Sequence, residues 1–112
     1  MDNIQTGNAG SDGAATRGWL FGDFIPEDSL RHSDDVEIKW AVHKAGDSRE
    51  EWAPGRHERS VAILISGQFS LIFPDRTVTL TQPGDYVVWR QGVPHRKFAD
   101  RDATVLTIRW HA

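Results

Sequence analysis

Short runs of alternating apolar and polar residues, each closed by turn chemistry, constrain this chain more than any other feature. Val36, Ile38, Trp40 and Val42 alternate with Glu37, Lys39, Ala41 and His43, a period of two that puts the two sets on opposite faces of a strand. Runs rich in Val, Ile, Thr, Phe and Trp recur over 60–66, 69–73, 77–81, 86–89 and 104–110, and such residues fit a pleated, half-buried surface. Between the runs stand Ser66-Gly67-Gln68, Pro74-Asp75-Arg76, Pro83-Gly84-Asp85, Gly92-Val93-Pro94 and Asp100-Arg101-Asp102, all turn-forming. No stretch of ten residues carries an apolar stripe at helical spacing. Six or seven short strands in one small unit predict an antiparallel sandwich or small barrel.

At 112 residues the chain has room for one core, so any site must lie within that unit. The sequence divides into three parts. Residues 1–18 hold four of the ten glycines and one large aliphatic residue, Ile4, which predicts a disordered acidic, Gly-rich tail. Residues 19–35 contain Trp19-Leu20-Phe21-Gly22-Asp23-Phe24-Ile25, too apolar for a free tail, and read as an arm packed on the barrel or on a partner copy. Residues 36–112 form the domain. The first 35 residues carry a net charge of −5 and the remainder +2.

The chemistry is bounded by absences. With no cysteine there is no disulfide, thiolate metal site or thiol nucleophile. A formal charge of −3 and the lack of interleaved basic and aromatic residues argue against nucleic acid as a partner. The longest wholly apolar run, Val61 to Ile65, is too short to span a bilayer. The opening Met1-Asp2 lacks a basic or apolar leader. A cytoplasmic chain with no membrane partner is the expectation.

The segments Leu64-Ile65-Ser66-Gly67-Gln68-Phe69-Ser70-Leu71, Leu80 to Trp89 and Gly92-Val93-Pro94-His95 resemble the cupin superfamily, over about residues 36–112, and in particular its small stand-alone bacterial members. Gly84, Gly92 and His95 stand in register with the second cupin motif, G-x5-P-x-G-x2-H-x3-N, while Arg90 and Ala99 occupy its Pro and Asn positions. The first motif, with its H-x-H pair, has no counterpart. Counting from Gly46 puts Trp52 and Pro54 at the His positions and Glu58 at the Glu position. The resemblance implies an all-β cupin-like antiparallel barrel, a double-stranded β-helix or jelly roll, with His95 in its mouth.

The candidate metal ligands are His95, then His57, Glu58 and His43, an N/O set suited to Fe, Mn, Ni or Zn. His43 faces inward only if Val36, Ile38, Trp40 and Val42 form the outer layer. Arg109 is either paired with a carboxylate such as Glu58 or Asp85, or clamps a substrate anion. Trp52 and Tyr86 are the other expected substrate contacts, Trp52 by partly filling the cavity. Arg90, Arg96, Lys97 and Arg101 near His95 read first as a solvated rim and, as the alternative, as a basic patch that attracts acidic small molecules to the cavity mouth. Two functions follow: a mononuclear metal enzyme of oxygenase, isomerase or lyase type acting on a small, anionic molecule, or a metal-free cupin that binds a small molecule or serves as a structural or regulatory dimer. A homodimer through the arm or a strand edge is expected in both.

Overall fold

The computed structural model describes residues 3–111. Among the described residues, nine strands form two antiparallel sheets that face each other. The strands are β1 (Trp19–Phe21), β2 (Val36–His43), β3 (Ser48–Ala53), β4 (Arg59–Ser66), β5 (Phe69–Phe73), β6 (Arg76–Leu80), β7 (Tyr86–Arg90), β8 (His95–Ala99) and β9 (Ala103–Trp110). One sheet runs β1-β2-β9-β4-β7 and the other β3-β8-β5-β6. This is the expected all-β jelly roll, in which the chain crosses repeatedly between sheets to close a barrel.

Six strands coincide with the alternating runs, and β1 lies within the arm. The sequence pattern missed β3 and β8. All of β3 except Ala53 is exposed, and in β8 only Ala99 is fully buried, so neither shows an apolar stripe. Both are held by backbone pairing, β8 lying between β3 and β5.

One end of the barrel is a close-packed core. Leu64, Leu80 and Val105 are its largest fully buried side chains, with Phe69, Leu71, Phe73 and Trp89 around them. Phe73 meets Trp89 edge-on at 5.7 Å between centroids, a favoured aromatic geometry. The β4–β5 turn closes this end through Gly67, whose φ of +87° and contact with the Asp102 carbonyl leave no space for a Cβ.

The arm is drawn onto its own chain. Gly18 accepts a hydrogen bond from the Trp40 backbone N–H at 2.8 Å, and β1 pairs antiparallel with β2 at Trp19↔Lys39, covering the edge of the larger sheet. Gly18 has φ +93°, and a Cβ there would lie 2.5 Å from the Trp40 carbonyl. The expected tail is organised from Asn8, whose side chain caps a one-turn helix α1 (Ala9–Asp12) by accepting from the Ser11 N–H. A 3₁₀ turn, Ala14–Thr16, follows. Residues 1 and 2 of that tail lie outside the described residues. The one-turn α1 is far too short to cross a membrane, and no helix among the described residues is long and apolar enough to do so.

Leu64 is fully buried at the centre of the core. Leu64→Ala therefore lowers unfolding free energy by about 3 kcal/mol, measured by urea denaturation.

Candidate functional site

Beside that core, and sharing Phe69, Leu71, Trp89 and Val105 with it, lies a cavity of about 370 Å³ between the two sheets, a size suited to a small molecule. Strand parity decides what lines it. In β2, Lys39, Ala41 and His43 point into the barrel, while Val42 is 71% exposed on the outside. The apolar set Val36, Ile38, Trp40 and Val42 is thus the outer layer, and the polar set faces in. The same inversion runs through β9, where Val105, Thr107 and Arg109 face the cavity.

The result is a concentration of positive charge. Arg17, Lys39, Arg49, Arg96, Lys97 and Arg109 all line the cavity, and among the described residues no carboxylate does. The nearby carboxylates are engaged at its margin. Glu37 lies 3.9 Å from the Arg109 guanidinium and 3.4 Å from His57 Nε2, and Asp47 lies 2.9 Å from His43 Nδ1. Arg109 therefore pairs with Glu37, its cross-strand neighbour, in place of the expected Glu58 or Asp85. Glu58 lies 3.6 Å from His111, and the Asp85 carboxylate accepts from the Thr81 and Gln82 N–H groups of its own turn.

Burial and mutual repulsion show in the titration of these groups. Lys39 is pulled down to about 8, first by desolvation and then by Lys97, Arg109, Arg49 and Arg17. Lys97 is lowered by burial, against the attraction of Asp47. His95 and His43 are both lowered, again chiefly by burial, so both are neutral at pH 7. Trp19 forms one wall, its ring 5.5 Å from Lys39 Nζ and 4.5 Å from the Arg109 guanidinium, close enough for cation–π attraction.

Two donors on lining residues lack a partner. Trp89 Nε1 and Arg96 Nε belong to side chains that line the cavity, and both are buried without a hydrogen-bond partner. Buried donors are normally satisfied. A smaller recess of about 230 Å³ continues the cavity past Arg49, Arg109 and His95 to Arg56 and His57.

The structure disperses the candidate metal set. His95 and His43 line the main cavity and His57 the recess. Glu58 lines neither and stands by His111. Among the described residues, no three His, Asp or Glu side chains come together as a metal-holding group. A divalent ion needs converging carboxylate or neutral imidazole donors, and here two imidazoles, His43 and His95, share the lining with six cations. The donor set does not fit the metal that the sequence resemblance implied.

Two substrate contacts are also corrected. Trp52 is 44% exposed and stacks under the Arg96 guanidinium at 4.4 Å, because its parity in β3 is opposite to that of Arg49 and Ala53. Tyr86 is 66% exposed on the outer face of β7, paired with Ile63. Of the expected basic rim, Arg96 and Lys97 reach the cavity, whereas Arg90 and Arg101 do not line it. Lys39, Arg49, Arg17 and Trp19 went unnoticed as site residues. The signal for Lys39 was its parity with His43.

No protein-family model matches the chain, and no curated protein matches its sequence. Solved structures do match its fold. A cupin superfamily protein from Desulfitobacterium hafniense DCB-2 is 19% identical over 71% of each chain, with a TM-score of 0.64. A Cupin 2 conserved barrel domain protein from Salinispora arenicola CNS-205 is 23% identical over 80% of this chain and 72% of its own, with a TM-score of 0.62. KdgF from Halomonas sp. is 21% identical over 69% of each, with a TM-score of 0.56. The expected cupin fold is thereby shown.

The unfolded chain keeps a proton on Lys39 up to its ordinary pKa of 10.5, while the folded chain gives it up near 8. Ligand-free stability therefore rises with pH between about 8 and 10.5, with the full penalty present below pH 8. Lys97 adds in the same direction. Denaturation at a series of pH values measures the rise, and Lys39→Met flattens it.

Proposed function

We propose that this chain, a cupin barrel by fold, binds a small organic anion in its cavity without a resident metal. The observation that carries this reading is the lining: six cationic side chains, no carboxylate among the described residues, and two buried donors without acceptors. Cations gathered in a partly desolvated space repel one another. An anion with several acceptor oxygens relieves that repulsion and accepts from the orphaned N–H groups. The apolar part of the lining, with Phe69, Leu71 and Val105 at the floor, receives a short carbon skeleton. Neutral His95 and His43 are placed to exchange protons with such a molecule. The size of the space suits a compact mono- or dicarboxylate better than a nucleotide or oligosaccharide.

Metal-dependent chemistry is the less favoured reading because the ligand set is scattered and the surroundings repel cations. The homodimer is part of the proposal on a separate footing. Val42, Ile65, Tyr86 and Val88 are exposed apolar residues on the outer face of the larger sheet, and light scattering of the purified chain measures whether two copies associate.

Dicarboxylates such as malonate raise the melting temperature at millimolar concentration, while chloride at matched ionic strength does not. Chelator leaves the effect unchanged. Arg109→Met weakens binding by at least about tenfold, the loss of one charge-assisted contact. Affinity also falls from pH 7 to pH 10 as Lys39 loses charge. A stoichiometric transition metal in the purified chain, with no response to anions, would contradict the reading.

A further inference from the structure

Lys39 differs from the other cavity cations in its chemistry. An arginine stays protonated and can only bind, whereas a buried lysine amine becomes a nucleophile once it can lose its proton. Its position is fixed by backbone pairing on both sides, opposite Trp19 in β1 and opposite Thr107 in β9. Arg109 is two residues beyond Thr107 on the same inward face, the diagonal cross-strand position. Among the described residues no carboxylate lies within ion-pair distance of Lys39, and its ammonium stands over the Trp19 ring. Lys97, which lines the same cavity from β8, is lowered by burial but has the attracting charge of Asp47 against that shift.

We propose that Lys39 forms an imine with a 2-oxo acid, whose carboxylate is held by Arg109 and whose carbonyl carbon lies against the lysine amine. The proposal rests on the anion-site reading and narrows its ligand class to carboxylates bearing an adjacent carbonyl. The Nζ lone pair forms the C–N bond as the carbonyl π pair moves to oxygen, and the ammonium proton passes to that oxygen to give a carbinolamine. A proton taken up from solvent by the carbinolamine hydroxyl lets water depart with the C–O bonding pair, while the nitrogen lone pair forms the C=N bond of a protonated imine. No oxidant or reductant is needed. The like charges of Lys97, Arg109, Arg49 and Arg17 favour the neutral amine that begins the sequence, and Glu37, on the same strand face, is occupied by Arg109 and His57.

Reductive trapping tests it. The full-length protein is incubated with pyruvate and sodium cyanoborohydride near pH 7.5, and the carboxyethylated lysine is located by peptide mapping. The expected result is one adduct per chain, on Lys39, at a rate about tenfold or more above that of exposed Lys44, as the lower amine pKa favours. Malonate suppresses it, acetone is trapped far more slowly, and Lys44→Arg still acquires the Lys39 adduct. Lys39→Arg, shown to be folded by near-ultraviolet circular dichroism, loses it. Equal labelling of Lys39, Lys44 and Lys97, or no labelling, in protein that malonate still stabilises overturns the imine and leaves the anion site standing. No labelling together with no response to malonate overturns both.

Discussion

Like-charge repulsion inside a partly desolvated cavity is the interaction on which the rest of this structure turns. At an effective dielectric of about 20, two unit charges a few ångströms apart interact by several kcal/mol, and here six cationic side chains share one lining. The fold tolerates them because the core beside the cavity is tightly packed around Leu64, Leu80 and Val105. Glu37 and Asp47 offset part of the charge from its margin. Such an arrangement is a cost in the free chain and an asset when an anion enters, which is the usual trade of stability for function at a site.

The arm belongs to the same logic. Trp19 is brought beside Lys39 and Arg109 only because Gly18 lets the backbone approach β2 and hydrogen-bond to Trp40. The indole supplies a wall with a negative face, which stabilises cations without adding a carboxylate that would compete with a bound anion. Removing the arm would open both the edge of the larger sheet and one side of the cavity.

Much of the fold was legible in the sequence, since period-two runs and turn residues are local signals. Lys39, Arg49 and Lys97 were harder to recognise as a cluster because they come from three strands, two of which, β3 and β8, lack an apolar stripe. Parity was the decisive ambiguity: β2 has one apolar and one polar face, and the bland assumption puts the apolar face inward. His43, 8% exposed beside a 71% exposed Val42, shows the reverse. Motif spacing placed His95 at the cavity, whereas counting from Gly46 put Trp52 and Glu58 at ligand positions: the parity of β3 turns Trp52 outward, and Glu58, ahead of β4, stands by His111. Charge pairing was equally nonlocal, because the Glu37 partner of Arg109 lies 72 positions earlier and meets it across β2 and β9.

The orphaned Trp89 indole gives the most direct access to the central claim, that the cavity is an acceptor-seeking anion site. Its Nε1–H resonance can be followed by ¹⁵N-labelled NMR while malonate is added in the presence of chelator. The account predicts a saturating downfield shift of the Trp89 indole, as its N–H gains an acceptor, with the exposed Trp52 indole little changed. An unmoved Trp89 resonance under malonate, together with selective broadening of the same resonance by a paramagnetic divalent metal in chelator-free buffer, would contradict it.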